Sequence, residues 1–333
     1  MSVSLILFGS VETGAIAVLG NGWWSGPELE HALETTTPSL VVADHTCSER
    51  VPADQAQIGF AELADAIAAP AAVAFERPPA GEDDPCAIIF TSGTTGLPKG
   101  AVLSHRCVIA TLHAVLERTR RLPVAGTPPP PPSALLVSLP LFHVGGFQQL
   151  MMPMVGGSTL VFTEGRFDAA QVVQLIADQQ IRVWSAVPTM VTRVLDYLED
   201  HDLEPLTSVR TIALGGSPVT EQVRARVPAK FPNVVRRLAV AYGLTEAAGS
   251  VAAGAGSEIL QRPGSVGRPL ATASIRIDRP DPTGAGEVLV RAPFIMLGYW
   301  QPDGQPTRID PGPVSSRRWL HTGDIGQIGR AHV

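Results

Sequence analysis

The segment Cys86-Ala-Ile-Ile-Phe-Thr-Ser-Gly-Thr-Thr-Gly-Leu-Pro-Lys-Gly100 joins a short apolar run to a loop rich in glycine and hydroxyl side chains. The apolar run at 86–90 predicts a buried strand that leads into the loop. Glycines let successive backbone N–H groups turn toward an anion, and hydroxyl groups donate further hydrogen bonds. Lys99 adds a compact positive charge. The segment therefore predicts a phosphate-binding loop.

Two other interpretations of this loop are open. A flexible Ser/Thr/Gly hairpin would bind nothing, and a nucleotide hydrolase would use a similar glycine-rich loop. The second is disfavoured because a Walker loop places Ser or Thr after its Lys, whereas Gly100 follows Lys99 here. Lysine is also rare in this chain, with Lys99 and Lys230 the only two among 25 Lys and Arg residues.

Composition excludes several classes of protein. The 333 residues carry a formal net charge of −6 and contain no basic run, which disfavours nucleic-acid binding. The apolar start lacks a basic segment and is interrupted by Glu12, and the stretch 134–162 contains Pro, His and Gln, so neither a signal peptide nor a membrane span is predicted. Cys47, Cys86 and Cys107 show no pairing motif, which indicates a reduced, cytoplasmic protein.

Strand and helix patterns alternate along most of the chain, which predicts parallel sheets flanked by helices. Capping signals place helix starts at Ser25, Asp168, Pro188 and Ser217-Pro218. Strands are predicted at 39–44, 86–90, 181–187, 209–216 and 234–243.

Short β-rich runs replace this alternation after about Gly264 and predict a smaller, mostly antiparallel β-subdomain. The predicted division is an α/β part at 1–262 and a β-rich part at 263–333. The prolines of 126–132 predict a polyproline II surface loop, with a partner-binding ligand as the alternative.

The loop at 91–100 resembles the pyrophosphate-binding signature of the adenylate-forming (ANL) superfamily. That superfamily includes acyl-CoA synthetases, luciferases and peptide-synthetase adenylation domains. Its other motifs follow in the same order, so that nearly the whole chain, from about residue 11 to 326, resembles the large N-terminal domain of an AMP-dependent acyl-CoA synthetase. These motifs are at 139–143, 215–218, 242–246, 264–269 and 319–324.

The resemblance implies an ATP site with Mg²⁺ and a role for individual residues. Tyr242 would stack on adenine, Asp324 would bind the ribose hydroxyls and Thr245 would reach the α-phosphate. Glu246 would bind Mg²⁺, and His143 would lie near the substrate carboxylate. Lys99, Thr245, Glu246 and His143 would be catalytic. The nucleotide-binding set is Thr91, Ser92, Gly93, Thr94, Thr95, Gly96, Lys99, Gly215, Gly216, Ser217, Pro218, Tyr242, Gly243, Thr245 and Asp324.

Each of these side chains also has a structural interpretation. Without the motifs, Tyr242 would be a core tyrosine at a strand end and Glu246 a solvated surface residue. Asp324 would be a turn residue after Gly323, and His143 a hydrogen-bonded core histidine.

The implied reaction has two steps. A carboxylate attacks the α-phosphorus of ATP, pyrophosphate leaves, and the acyl-adenylate then gives its acyl group to the thiol of CoA. Amino-acid-activating members carry an Asp after the phosphate loop, and the stretch PLFHVGGFQQ at 140–149 has no carboxylate. An apolar acyl pocket is therefore predicted, which favours a fatty acid. Its lining would be Val144, Gly145, Gly146, Phe147, Val187, Pro188 and Met190.

Two alternatives to a CoA ligase follow from the same resemblance. One is an acyl-AMP ligase that passes the acyl group to a carrier protein, and the other is a non-catalytic fragment that binds ATP or acyl-AMP. Superfamily members continue on both sides of this chain and end in a small lid domain that supplies a Lys. Residues 327–333 do not resemble that continuation, so we expect an incomplete large domain without a lid and weak adenylation.

Overall fold

The computed structural model describes residues 2–69, 76, 78–91, 96–123, 125–126, 132–234, 236–301, 309–310 and 319–328. The chain divides into two compact units. Unit 1 contains Met1–Arg106 and Met296–Gly312, and unit 2 contains Cys107–Ile295 and Pro313–Val333.

The described helices are α1 (Ser2–Glu12), α2 (Gly26–Thr36), α3 (His45–Ser48), α4 (Phe60–Ala68), α5 (His105–Arg118), α6 (Val144–Gly156), α7 (Ala169–Asp178), α8 (Pro188–Asp200), α9 (Glu221–Lys230) and α10 (Ser257–Leu260). The first strands are β1 (Ala17–Leu19), β2 (Val41–Ala43), β3 (Gln57–Gly59), β4 (Pro85–Thr91), β5 (Lys99–Ser104), β6 (Ala134–Val137), β7 (Thr159–Phe162), β8 (Val183–Ala186) and β9 (Thr211–Leu214). The remaining strands are β10 (Leu238–Leu244), β11 (Gly249–Ala255), β12 (Arg268–Pro269), β13 (Ser274–Asp278), β14 (Ala285–Arg291), β15 (Gly298–Trp300), β16 (Ile309–Asp310) and β17 (Leu320–Gln327).

Unit 1 is built on a five-stranded sheet with the order β1-β4-β5-β15-β16. Strands β1 and β4 are parallel, whereas β4 and β5 form an antiparallel hairpin, so the sheet is mixed. Trp24 packs on Phe90 with ring centroids 5.0 Å apart, next to the buried Ile88 and Val102. This core fixes β4 and β5 and hence both ends of the loop between them.

Unit 2 contains a seven-stranded sheet with the order β12-β11-β10-β9-β8-β6-β7. The five strands from β7 to β10 are parallel, and β11 and β12 add an antiparallel edge. Trp184 and Phe231 are fully buried in its core, and Trp184 donates its indole N–H to Ser138 Oγ at 3.0 Å. A separate antiparallel sheet has the order β13-β14-β17. The predicted α/β class with a smaller antiparallel sheet is confirmed.

Local signals located most helix starts. The Asp168 side chain accepts a hydrogen bond from Gln171 N at 2.7 Å and caps α7, as predicted. The predicted start of a helix at Ser217-Pro218 is wrong, because α9 begins at Glu221 after an N-cap at Thr220. Gly216 has a φ of 77°, and the backbone after it leaves the strand as a turn before the Thr220 hydroxyl can cap the helix.

The strands after residue 263 are distributed among three sheets. Strand β12 pairs with β11, β15 pairs with β5, and β13, β14 and β17 pair with one another. The division at 262/263 was drawn from the change in secondary structure and stays a prediction. Most of the predicted polyproline loop at 126–132 lies outside the described residues.

None of the helices that the structure describes has the length and apolarity that a bilayer span requires.

Candidate functional site

The predicted phosphate loop connects the two strands of the β4–β5 hairpin in unit 1. Thr91 and Lys99 are paired across the hairpin, so they mark the two ends of the loop. Gly96 has a φ of 92°, a left-handed conformation that favours glycine. Ser92, Gly93, Thr94 and Thr95 lie outside the described residues. The structure thus fixes where the loop begins and ends.

Lys99 is exposed, and its ammonium lies 5.6 Å from the centroid of the Tyr299 ring. Such a cation–π contact restrains the long side chain at one end of the loop. Gly100 explains the departure from a Walker loop, because a Cβ there would come within 2.8 Å of Ile88 Cγ2 in the sheet. A second contact holds the loop end, since His31 Nε2 of α2 lies 3.1 Å from Pro98 O. Sequence reasoning missed both Tyr299 and His31, which carry no motif.

Unit 2 brings three of the predicted motifs, together with two residues of the predicted acyl-pocket lining, to one edge of its large sheet. The parallel strands β6, β8 and β9 end at Val137, Ala186 and Leu214, and the next residues lead to 139–143, 187–188 and 215–218. Strand β10 is parallel to β9 and carries Tyr242. The connections from the neighbouring strands β6 and β8 run to opposite sides, toward β7 and β9. Ligands of open α/β sheets bind at such a switch point.

The Gly215-Gly216 pair allows a close approach between neighbouring strand ends. A Cβ on Gly215 would lie 3.2 Å from Ala241 O, and Gly216 has a φ of 77°. Ser217 and Pro218, which follow, are exposed. The turn therefore leaves backbone next to Tyr242 accessible to a planar ligand.

Tyr242 and Asp324 meet although 82 residues separate them. The Tyr242 hydroxyl donates a hydrogen bond to Asp324 Oδ2 at 2.6 Å. Burial of the half-buried phenol, and then the bond to Asp324, raise the pKa of Tyr242 well above its usual range. Tyr242 is therefore a neutral donor at physiological pH, and Asp324 presents its carboxylate beside the aromatic ring.

A β-bulge shapes the hairpin that carries Tyr242, Thr245 and Glu246. The register of β10 against β11 shifts between Tyr242 and Gly243. A Cβ on Gly243 would overlap the Gly249 carbonyl, so only glycine fits this position. A short 3₁₀ helix, Thr245–Ala247, follows and places the half-buried Glu246 at the hairpin turn. Thr245, Glu246 and Gly243 thus lie next to Tyr242.

Gln148 of α6 braces this hairpin from a neighbouring element. Its Nε2 donates to Thr111 Oγ1 at 3.2 Å and to Ala248 O at 3.3 Å, while its Oε1 accepts from Ser250 Oγ at 3.2 Å. Gly249 has a φ of 115°, and a Cβ there would overlap the Gln148 amide. Sequence reasoning treated 140–149 only as the acyl segment and missed this role.

Asp324 is positioned by the rest of its strand. The Asp324 N–H donates to Thr322 Oγ1 at 3.1 Å, and the Thr322 hydroxyl donates to Val288 O at 2.8 Å. Glu287 accepts from Gly323 N at 3.1 Å, and its Oε2 lies 3.0 Å from His321 Nδ1. The bond to His321 is the main cause that lowers the pKa of Glu287. His321 and Thr322 belong to the quoted 319–324 motif, of which only Asp324 had been assigned a role.

His143 is the N-cap of α6, and its side chain is exposed. Partial desolvation by surrounding protein lowers the pKa of the imidazole. The Phe142 ring lies 4.6 Å away, centroid to centroid. A neutral imidazole at this place can donate or accept one hydrogen bond toward a substrate.

The residues predicted to line an acyl pocket differ in exposure. Phe147 is only 3% exposed, Gly146 and Pro188 are buried, and Met190 packs against the core of unit 2. Val144, Gly145 and Val187 are half-buried. The four residues that follow His143 at the start of α6 are therefore apolar or glycine, and none of them is exposed.

A magnesium ion fits the chemistry of Glu246 if the nucleotide supplies further oxygens. No group of three or more His, Cys, Asp or Glu side chains that could hold a metal occurs in the part of the chain that the structure describes. Mg²⁺ is commonly bound by one or two carboxylates together with substrate phosphates and water. The half-buried carboxylate of Glu246 beside Tyr242 meets that requirement.

Comparisons with known proteins give one consistent picture. A family model described as AMP-binding enzyme matches residues 2–300. The 4-coumarate–CoA ligase-like 5 of Oryza sativa subsp. japonica is 30% identical over 338 residues, which cover 98% of this chain and 57% of that protein. The long-chain-fatty-acid–CoA ligase FadD13 of Mycobacterium tuberculosis is 28% identical over 346 residues, 97% of this chain and 63% of that protein.

A solved structure agrees with these relatives. The inhibitor-bound N-terminal domain of FACL13 from Mycobacterium tuberculosis superposes with a TM-score of 0.81 at 26% identity, covering 97% of this chain and 80% of that one. The chain therefore spans about three fifths of the length of the two curated relatives.

Proposed function

The chain belongs to the AMP-binding enzyme family, and from this premise we propose that it activates a carboxylic acid with ATP to an acyl-adenylate and passes the acyl group to CoA. One observation carries the proposal. Tyr242, Glu246 and Asp324, together with the 215–218 turn, are assembled beside one edge of the unit 2 sheet by a bulge, a 3₁₀ helix and a hydrogen bond. An aromatic ring and two carboxylates are what adenosine, ribose and Mg²⁺ require.

Each residue has a chemical task in this proposal. The ring of Tyr242 stacks on adenine, and Asp324 accepts hydrogen bonds from the ribose hydroxyls. Thr245 donates to the α-phosphate. Lys99 and the backbone N–H groups of its loop bind the pyrophosphate that leaves. These are preorganised charges that need no rearrangement as the transition state forms.

Glu246 would hold Mg²⁺, which when bound neutralises phosphate charge. The acid binds with its carboxylate toward His143, whose neutral imidazole orients it by one hydrogen bond. A carboxylate oxygen forms a bond to the α-phosphorus while the bond to pyrophosphate breaks. The thiol sulfur of CoA then attacks the acyl carbon, and AMP leaves with the electron pair of the broken bond.

The proposed substrate is a fatty acid, because the residues that follow His143 are apolar and the stretch 140–149 contains no carboxylate to bind a substrate ammonium. An aromatic acid is the second candidate, since a relative at 30% identity is named for 4-coumarate. The proposed location is the cytoplasm, because Cys47, Cys86 and Cys107 are all free thiols.

The test is exchange of labelled pyrophosphate into ATP by the purified 333-residue chain. Fatty acids of several lengths, 4-coumarate and an amino acid are added separately with Mg²⁺. Exchange that depends on a fatty acid supports the proposal. Exchange with 4-coumarate alone would show that the substrate is an aromatic acid and not a fatty acid. Absence of exchange with bound ATP would indicate the alternative, a nucleotide-binding fragment.

The acceptor is tested in the same samples. Acyl-CoA formed on addition of CoA supports the ligase, whereas acyl transfer only to a phosphopantetheine-bearing carrier protein would favour the acyl-AMP ligase. A chain that neither binds nor exchanges ATP refutes the proposal.

A further inference from the structure

Arginines surround the short helix α10 of unit 2. An open depression of about 340 Å³ adjoins this helix. Its lining is entirely polar or charged and consists of Arg118, Ser257, Glu258, Gln261, Arg262 and Arg268. Three guanidinium groups therefore face one carboxylate. The charge of this depression is opposite in sign to the net charge of −6 of the whole chain.

The single carboxylate is already occupied. Glu258 Oε2 accepts from Arg118 at 2.5 Å, and Glu258 Oε1 accepts from Arg268 at 3.0 Å. Arg118 also donates to Ala253 O, from both Nε and Nη2, which fixes its guanidinium. Within the described ranges, the exposed Arg262 side chain has no hydrogen bond or ion pair. Arg262 and the outer face of Arg268, which is 74% exposed, thus remain available to an anion.

Arg224 of α9 does not line the depression but contacts the same helix. Its side chain is only 7% exposed, and Nη1 donates to Ile259 O at 3.3 Å. Arg224 Nε is buried without a hydrogen-bond partner, and the described part of the chain offers this guanidinium no ion pair. Burying a cation without a counter-charge is costly. Arg224 thus adds to the positive charge around α10, whereas the proposal below rests on the residues that line the depression.

This region is distant from the proposed nucleotide site within the same unit. Tyr242 is paired with Ala252, and β11 then runs away from it to Ala255. Gly256, just before α10, donates to Leu238 O at the opposite end of β10. The four residue steps from Tyr242 to Leu238 correspond to about 13 Å of strand. A ligand at α10 would therefore be separate from adenosine at Tyr242.

We propose that the depression at α10 binds a phosphate group, either free phosphate or the phosphate monoester of a small metabolite. Guanidinium groups match phosphate in planar, paired hydrogen bonds better than ammonium groups do. The volume suits a small ligand, and every residue that lines the depression is polar or charged, with no hydrophobic side chain to receive a lipid tail. The site goes beyond the proposed acid activation and does not depend on it.

The test is equilibrium dialysis of the full chain with labelled inorganic phosphate and, separately, with ribose 5-phosphate. The variant is Arg262→Ala/Arg268→Ala, in which both replaced side chains are exposed. The matched control is Arg182→Ala/Arg210→Ala, which removes two exposed arginines elsewhere in unit 2. We expect at least about tenfold weaker binding in the variant, because each charged contact contributes about one power of ten.

Two further variants distinguish binding at this site from binding at the nucleotide site and from a loss of folding. In Lys99→Ala, the phosphate binding that depends on Arg262 and Arg268 should persist, because Lys99 belongs to the other phosphate site. Arg262→Ala alone, which breaks no ion pair of the described residues, should already weaken it while thermal unfolding stays unchanged. A preference for free phosphate or for its ester identifies the source of the ligand. Binding of neither probe to the unmodified chain, or equal binding by the double variant and its control, overturns the proposal.

Discussion

Lys99 and Tyr242 illustrate how a single side chain can be held before any ligand arrives. Lys99 lies over the Tyr299 ring, and the Tyr242 hydroxyl is bonded to Asp324. Both are polar groups whose direction is fixed by a neighbour outside their own motif. Preorganisation of this kind reduces the entropy lost on binding.

Replacing Lys99 by Ala should lower the rate of acid-dependent pyrophosphate exchange about 10²–10³-fold, the usual cost of losing one preorganised charged donor. AMP affinity should change little, because AMP lacks the leaving phosphates. Exchange kinetics and calorimetric AMP titration measure the two effects. Arg210→Ala also removes an exposed positive charge and is the control. Equal exchange in Lys99→Ala and Arg210→Ala would contradict the assignment.

Replacing Tyr242 by Phe separates the ring from its hydroxyl. The ring should still stack on adenine, so AMP affinity should fall less than about tenfold, whereas Tyr242→Ala should weaken AMP and ATP together by more. Glu246→Ala should instead raise the Mg²⁺ concentration required for exchange. Calorimetry with AMP and an Mg²⁺ titration make the comparison. Proportional losses of both responses in Tyr242→Ala and Glu246→Ala would show that the roles are wrongly divided.

Among the elements, the β10–β11 hairpin depends on a helix far away in sequence. Gln148 lies 100 residues before Ala248, yet it binds the Ala248 carbonyl and the Ser250 hydroxyl. The hairpin can keep its bulge and its left-handed residues because this amide replaces bonds that a regular ladder would supply.

Gln148→Leu should leave these polar groups unpaired and destabilise the fold by about 1–3 kcal/mol. It should also raise the Mg²⁺ requirement, because Glu246 lies in the turn that Gln148 braces. Urea unfolding and the Mg²⁺ titration measure the two effects. Gln174→Leu serves as the control, since Gln174 is bonded only within its own helix to Asp178 in the described structure. A normal Mg²⁺ response in a destabilised Gln148→Leu protein would show that Gln148 contributes to the stability of the fold and not to Mg²⁺ binding.

Local sequence signals were sufficient to predict those helices and strands whose ends are set by neighbouring residues. Strand β4 follows its apolar run, and Asp168 caps α7 through an N–H three residues later. The start of α9 was misplaced because Thr220, not Ser217, satisfies the first N–H groups. Gln148 and Glu287 could not be found, since their partners are distant and their own residue types are ordinary at those positions. The roles of Lys99, Tyr242, Thr245, Glu246, Asp324 and His143 all stay predictions.

At the scale of the whole molecule, acidic residues outnumber basic ones by 31 to 25, and several carboxylates are stabilised in their charged form. Hydrogen bonds lower the pKa of Glu287, Asp281 and Glu28. The unfolded chain therefore binds more protons than the folded chain in mildly acidic solution, and stability rises with pH in that window.

Glu287 provides a direct test of this pH dependence. Its contribution should be complete above the ordinary glutamate pKa of about 4.3 and be lost as the pH falls through the lower folded pKa. Glu287→Gln should thus be less stable at pH 7 and lose less stability between pH 5 and 3. Urea unfolding at these pH values makes the measurement, with the exposed Glu117→Gln as the control. A pH profile in Glu287→Gln that parallels the unmodified chain would contradict the prediction.

The scarcity of lysine makes the chain suitable for chemical labelling. Lys99 is exposed, whereas the half-buried Lys230 donates its ammonium to Leu203 O at 2.8 Å. Apart from the terminal amine, an acylating reagent at limiting dose should therefore react first at the end of the phosphate loop. Peptide mass spectrometry after a brief pulse would then measure the acylation of the Lys99 amine, and protection of this one nitrogen atom would show when the loop is occupied.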